Sequence, residues 1–300
     1  ATGASCWPTC EGSAVIPPLG HLGLFEYRLV EAHAPIRIPD LSMPLPAPHA
    51  VAALPAWERW QPLLAVVQRC LRQWPTLLAD PWLEFDQPGA GWPGLFLRLQ
   101  RAARPGELQE LAASLSTVMP APPLEALAAL ALPEGVRMSH LGLFPPRLGQ
   151  RQPTWRCNLV GPAAAQWGWL HQQLPGAVAQ LQAAGLEPLL LAEPAAMAWS
   201  ACFDWRATPQ PRLGLELYPP ERLQQGSGEG DPAALALLEL LTPWCPSGSL
   251  ERTRQWHRRR LGERYQAGFS HLKLVANPND GAGGSAGVQP KLYLLAHAPV

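Results

Sequence analysis

Short runs of alternating apolar and polar residues recur along the chain, and helical spacing fills the gaps between them. Alternation marks half-buried strands. It predicts strand pairs at 82–86 and 95–99, at 138–144 and 154–160, at 199–205 and 212–218, and at 270–275 and 291–296. The run His21–Val30 is a further strand candidate, and residues 21–39 have room for a fifth pair. Apolar residues at helical spacing (Leu63, Leu64, Val67, Cys70, Leu71, Trp74) predict a helix over 57–78, with Pro75 ending it. Further helices are predicted at 105–118, 122–132, 231–242 and 249–265, and one over 163–185 that Pro175 must kink or split.

Each strand has one apolar face. Leu213, Leu215 and Leu217 oppose Arg212, Gly214, Glu216 and Tyr218; Trp155, Cys157 and Leu159 oppose Arg156 and Asn158; Leu272 and Leu274 oppose His271 and Lys273. Leu83 and Phe85 likewise oppose Glu84 and Asp86, and Leu292 and Leu294 oppose Lys291 and Tyr293. The polar face belongs either to an open sheet in water or to the lumen of a closed barrel. Helices recurring after each pair favour the barrel, and closure removes the exposed edges of eight to ten strands. The fold class is therefore α+β, an antiparallel barrel of eight to ten strands surrounded by helices in repeated α-β-β-α units. It is read as one domain over 1–300, with an irregular arm at 1–20, a proline-rich lead-in at 21–56 and the barrel at 57–300. The pentamer His-Leu-Gly-Leu-Phe at 21–25 and again at 140–144 is a weak internal repeat.

Composition narrows the function. Twenty-three basic and 23 acidic residues cancel, which removes the electrostatic case for a nucleic-acid binder. No apolar run reaches the ~18 residues of a membrane span, and the start lacks a basic-then-apolar signal pattern, so a cytoplasmic location is expected. Proline, 36 of 300 residues against an average of ~5%, punctuates short elements. Cys6 and Cys10, a C-x3-C without a second pair, are a weak zinc signal. Gly89-x-Gly91-x-x-Gly94 precedes a strand rather than a helix, so it reads as a hairpin loop. The glycine-rich stretch 281–287 reads the same way. The basic stretch over 252–264 (Arg252, Arg254, His257, Arg258, Arg259, Arg260, Arg264) reads as a solvated helix face, with contact to an acidic peptide as the sharper alternative. Only two of the 23 basic residues are lysines, Lys273 and Lys291, on strands that a hairpin would make neighbours.

Lys291-Leu-Tyr293 in its Pro-Lys-Leu-Tyr-Leu setting, Phe203-Asp204 followed by Arg212–Tyr218, and Leu83-Glu84-Phe85 followed by Leu97-Arg98-Leu99 resemble strands of the ABBA-barrel aromatic prenyltransferases, particularly the dimethylallyltryptophan synthase type. The likeness spans roughly residues 80–300. It implies a ten-stranded barrel that moves an allylic prenyl group from a soluble diphosphate to an aromatic or peptide acceptor in its lumen, without a metal or other cofactor. It further implies that Arg98, Arg156, Lys273 and Lys291 hold the diphosphate, that Tyr218 and Tyr293 shield the prenyl cation, and that Glu84 orients or deprotonates the acceptor. His271, Glu216, Asn158 and Asp204 are the other expected lumen residues. Gly214 and Glu216 stand where the family has Lys and Tyr, and Asn158 stands where it has Tyr. The acidic residues Glu216 and Asp204 favour the alternative, a non-prenylating peptide-modifying enzyme or a peptide- or ligand-binding protein on the same barrel.

Overall fold

The computed structural model describes residues 22–297 except 32–33, 36–38, 46–56, 86–92, 105, 120, 123–129, 145–151, 193–194, 196, 207, 220–226, 229 and 280–286. The expected arm with Cys6 and Cys10, the helix expected at 122–132 for most of its length, Asp86, the loop at Gly89 and Gly91, and nearly all of the glycine-rich stretch 281–287 lie outside the described residues.

The strands are β1 (Leu22–Arg28), β2 (Asp40–Pro44), β3 (Leu78–Phe85), β4 (Gly94–Leu99), β5 (Arg137–Phe144), β6 (Thr154–Val160), β7 (Ala198–Trp205), β8 (Pro209–Tyr218), the two-residue β9 (Ser227–Gly228), β10 (Gln266–Ala276) and β11 (Val288–His297). The helices of four residues or more are α1 (Trp57–Gln73), α2 (Glu107–Ser116), α3 (Ala163–Gln173), α4 (Pro175–Ala183), α5 (Glu187–Leu190), α6 (Pro232–Leu241) and α7 (Ser249–Leu261). The predicted helix over 163–185 is split where Pro175 lacks its amide, with Leu174 at the junction.

Ten strands pair antiparallel in the order β1 to β8, then β10 and β11, and β11 returns to β1, so the sheet closes. β9 lies outside this ring, against the start of β10. The barrel begins earlier than the expected residue 57. Its first two strands come from the proline-rich lead-in and make a fifth pair, whose second strand, Asp40–Pro44, lies just beyond the expected 21–39.

The leucine faces point outward. Leu83, Leu97, Leu141, Leu159, Leu215, Leu274 and Leu292 are all buried in one core together with Leu63, Val67 and Cys70 of α1, Leu111 and Leu115 of α2, and Leu170, Leu181 and Leu237 of the later helices. Removing this surface from water is the main stabilising contribution, at about 25 cal/mol per Å². Bulges keep the alternation in phase. The register shifts between Phe269 and His271, so Ser270 is the extra residue, and Phe269 and Leu272 both reach the outer core. Ser139 does the same for Met138 and Leu141.

The pentamer repeat does not survive as a structural repeat. Phe25 faces outward, 5.2 Å ring to ring from His257 on α7, whereas Phe144 faces the lumen beneath the Arg156 guanidinium. The two copies sit on their strands with opposite parity, and a one-residue change of phase inverts every side chain.

Among the described residues no helix is long and apolar enough to cross a membrane.

Gly142 shows how tightly the lumen is filled. A Cβ there would sit 2.7 Å from the Phe144 ring and 3.1 Å from both Phe96 and the Arg156 Cβ. Two rings and an arginine stem packed on three sides cannot retreat together. Gly142→Ala is expected to lower unfolding free energy by ~1–3 kcal/mol, the usual cost of overpacking, as read from urea midpoints. An unchanged midpoint would mean that the rings are free to move.

Candidate functional site

The polar faces converge inside the barrel into three charge clusters. The largest surrounds Glu216 on β8. Its Oε1 accepts from Lys273 Nζ at 3.1 Å, and its Oε2 accepts from Asn158 Nδ2 at 2.8 Å, Ser200 Oγ at 3.0 Å and the Tyr218 hydroxyl at 3.0 Å. The donors come from β6, β7, β8 and β10. Lys273 and Ser200 are the direct cross-strand partners of Glu216, so backbone register places them. Lys273 also donates to Cys202 Sγ at 3.1 Å. It reaches across β8 because residue 214 is glycine, where a Cβ would lie 2.3 Å from Lys273 Cε.

The second cluster is Glu26 on β1, which accepts from Lys291 Nζ and the Tyr293 hydroxyl of β11. The third is Arg156 on β6. Its Nε donates to Asp204 Oδ1 at 2.8 Å and its Nη2 to Oδ2 at 3.4 Å, and its Nη1 lies 3.7 Å from Glu84. Glu84 is on β3, with β4 and β5 between, and the positions on the way are Gly94 and Gly142. The Phe144 ring lies there instead, 4.3 Å from the guanidinium carbon.

Between the first two clusters stand three rings. His271 stacks on Tyr293 with centroids 4.0 Å apart and planes 17° apart, and Tyr218 lies 4.8 Å away on a tilted plane. These strands are neighbours, so the rings form a short aromatic wall.

Electrostatics follow from burial and these partners. Burial opposes ionisation of Glu216, but the Lys273 ammonium, with help from His271 and the hydrogen bond from Lys273, holds its carboxyl below the usual range. Burial is outweighed at Glu26 in the same way by Lys291 and Lys273. Tyr218 and Tyr293 are pushed well above the normal phenol range by burial and by the carboxylates that take their protons' hydrogen bonds. Burial lowers His271 to about 4, although Glu216 opposes the shift, and lowers His140 to about 4 as well. Both imidazoles are therefore neutral near pH 7.

Of the residues expected from sequence, Glu84, Arg156, Asn158, Asp204, Glu216, Tyr218, His271, Lys273, Lys291 and Tyr293 all line the lumen and are buried. Lys273 and Lys291 are direct partners in the β10–β11 ladder, as a hairpin requires, yet each amine turns to its own carboxylate. Arg98 stands apart. It is half-exposed and pairs with Asp80 at 3.1 Å.

Glu26, Ser200, Cys202 and His140 complete the site and were not singled out from sequence. Glu26 had a readable signal, because it opposes Phe25 and Tyr27 in the alternation of β1. Among the described residues no group of three or more His, Cys, Asp or Glu is arranged to hold a metal ion.

The basic helix is bound to the barrel by part of its charge. Arg252 donates to the carbonyls of Val30, Glu31 and Ala34. His257 is buried, with Nε2 3.0 Å from the Leu295 carbonyl and Nδ1 2.7 Å from the Tyr27 hydroxyl. A carbonyl can only accept, so Nε2 carries the proton and Nδ1 accepts from Tyr27. Arg258, Arg259 and Arg260 are exposed.

No protein-family model and no curated protein matches the chain.

Acid is expected to unfold the protein early. A histidine whose folded pKa is depressed contributes stability fully above its unfolded value near 6.5, and loses it as pH falls towards the folded value near 4. Each contributes a slope of at most ~1.4 kcal/mol per pH unit in that window. Glu216 and Glu26, also depressed, lose theirs further down, below the ordinary carboxylate range. Stability measured by urea titration should fall from pH 6.5 to 4; a flat profile would contradict the burial of both imidazoles. Glu216→Gln leaves the Lys273 ammonium buried without a counter-charge and is expected to cost ~3–5 kcal/mol. Adding Lys273→Met should recover part of that loss in the same titration.

Proposed function

We propose that the chain is a prenyltransferase, moving an allylic prenyl group from a soluble diphosphate to an aromatic or peptide acceptor inside the barrel lumen. The observation that carries this reading is the wall of Tyr218, His271 and Tyr293 flanked by Lys273 and Lys291 on the same and adjoining strands. Ionising an allylic diphosphate breaks the bond between the prenyl carbon and oxygen, and the electron pair leaves with the diphosphate. Preset positive charge stabilises that leaving group. The carbon left behind is a cation, and ring faces attract it.

Both tyrosines donate their hydroxyl hydrogen to carboxylates, which enriches the rings in electron density. In this reading Lys273, Lys291 and Arg156 exchange Glu216, Glu26 and Asp204 for diphosphate oxygens, and Arg98 guards the barrel end. The acceptor forms the new bond to the prenyl carbon and gives up its proton to Glu84. The helix-bearing connections after strand pairs support the finer likeness to an α-β-β-α barrel. A cytoplasmic site of action goes with the use of a soluble diphosphate.

The second reading is a non-prenylating peptide-modifying enzyme or a peptide- or ligand-binding protein on this barrel. It is favoured by one observation: Arg156, Lys273 and Lys291 each already hold a carboxylate. Incubation with dimethylallyl diphosphate and a panel of phenols, indoles and tyrosine peptides, read by mass, separates the two. An adduct is expected. The absence of an adduct on every acceptor, together with no binding of the diphosphate, would remove the first reading.

Lys291→Met should weaken diphosphate binding at least tenfold in calorimetry with the far-ultraviolet spectrum unchanged; undiminished binding would take Lys291 out of the site. If a peptide is the acceptor, Arg258, Arg259 and Arg260 are placed to meet its acidic residues. Replacing all three by Ala should weaken peptide binding and flatten its salt dependence. Affinity that stays the same at every salt concentration would leave α7 as a docking helix only.

A further inference from the structure

Two lumen atoms have no hydrogen-bond partner among the described residues. They are Asn158 Oδ1 and His271 Nε2, on side chains whose residues are 3% and 5% exposed. Buried polar atoms of this kind are uncommon, and each costs ~1–3 kcal/mol when unmade.

The Asn158 orientation is fixed by chemistry. Its neighbour at 2.8 Å is an oxygen of Glu216, an ionised carboxylate that can only accept. The group facing Glu216 is therefore the NH₂, and the oxygen left over requires a donor. His271 is held in place: Nδ1 meets Ser270 Oγ at 2.9 Å, and the ring is clamped between Tyr218 and Tyr293. A serine hydroxyl both donates and accepts; in the tautomer with the proton on Nδ1, given to Ser270, Nε2 offers a lone pair. The two atoms belong to one neighbourhood, because Asn158 and Tyr218 share Glu216 Oε2, and the Tyr218 ring packs at a tilt against His271.

We infer that His271 holds the Nδ1–H tautomer and that its Nε2, with Asn158 Oδ1, forms a recognition site for a hydrogen-bond donor, an N–H or O–H, carried on an aromatic ligand in the lumen. Resting on the function proposed above, that ligand is the acceptor, and the pair orients its ring in the lumen. A site built of acceptors rejects a ligand that lacks the donor, since its polar atoms then stay unpaired.

The test uses indole and 1-methylindole, which share a ring and differ in the donor, titrated calorimetrically into the full chain without any diphosphate. Indole should bind at least tenfold more tightly. Asn158→Ala and His271→Phe should each bring the ratio towards one, and the wild-type ratio needs no variant to fold. Equal affinities, or no binding of either probe, overturn the site. Prenyl transfer is assayed separately. Transfer with a ratio of one leaves the proposed function standing without this site, and a tenfold ratio without transfer leaves the site standing without that function.

Discussion

A charge carried into a protein interior must find its counter-charge there, because the energy lost on leaving water is otherwise unrepaid. The barrel meets this constraint from strand to strand. Glu216 gathers donors from four strands that are consecutive in the sheet, Glu26 ties β1 to β11 across the seam where the barrel closes, and Arg156 on β6 pairs with β7 and reaches β3 over two intervening strands. The outer leucines give the sheet a reason to be covered by helices, but a slip of two residues would keep every leucine outward. The ion pairs forbid that slip. It would part the lumen charges of a strand from their cross-strand partners, so the polar interior specifies the register.

The same constraint explains the glycines. Charged side chains as long as lysine and arginine can lie flat across a neighbouring strand only where that strand carries no side chain. Gly214 makes way for Lys273, and Gly94 and Gly142 make way for Phe144 under Arg156. The family resemblance expects Lys and Tyr around Gly214 and Glu216. The structure instead uses these positions as the floor and the anchor of a lysine from the next strand. That division of labour between β8 and β10 leaves one cation where two would have repelled each other.

Period two made the strands legible, and with them the faces. The lumen position of nearly every expected residue follows from parity alone, and so does the pairing of the two lysine positions by a hairpin. What parity cannot supply is the partner on the strand's other neighbour. It places Lys273 and Lys291 side by side but is silent on whether they share an anion or turn away to Glu216 and Glu26. The turn to Glu216 depends on β8 pairing with β10 and the turn to Glu26 on closure, which brings β1 beside β11. The two His-Leu-Gly-Leu-Phe pentamers show the converse failure. Identical letters with opposite parity have unrelated surroundings, because a strand's environment is set by phase against its neighbours and not by local sequence. Arg98 shares the parity of the site but sits near the end of its strand, where water and Asp80 compete for it.

The hydrogen bonds that build the aromatic wall also decide what it can do chemically. Tyr218 and Tyr293 give their protons to carboxylates, and burial beside negative charge pushes both far from titration. Neither is therefore suited to shuttle a proton near neutral pH, and their contribution is the ring face. Glu216 and Glu26 are likewise committed, each held ionised by two or more donors, so neither is a ready base. A carboxylate satisfied by four donors gains little from a fifth proton donor, whereas an imidazole kept neutral by burial still has a lone pair to offer. In the proposed transfer the acceptor's proton therefore goes to neither Glu216 nor Glu26; that reading assigns it to Glu84, 3.7 Å from Arg156, and places the acceptor's donor group at His271. The two lie on different sides of the ring of strands, on β3 and β10. A ligand reaching both would have to span the lumen, with its reacting carbon between the wall and the guanidinium.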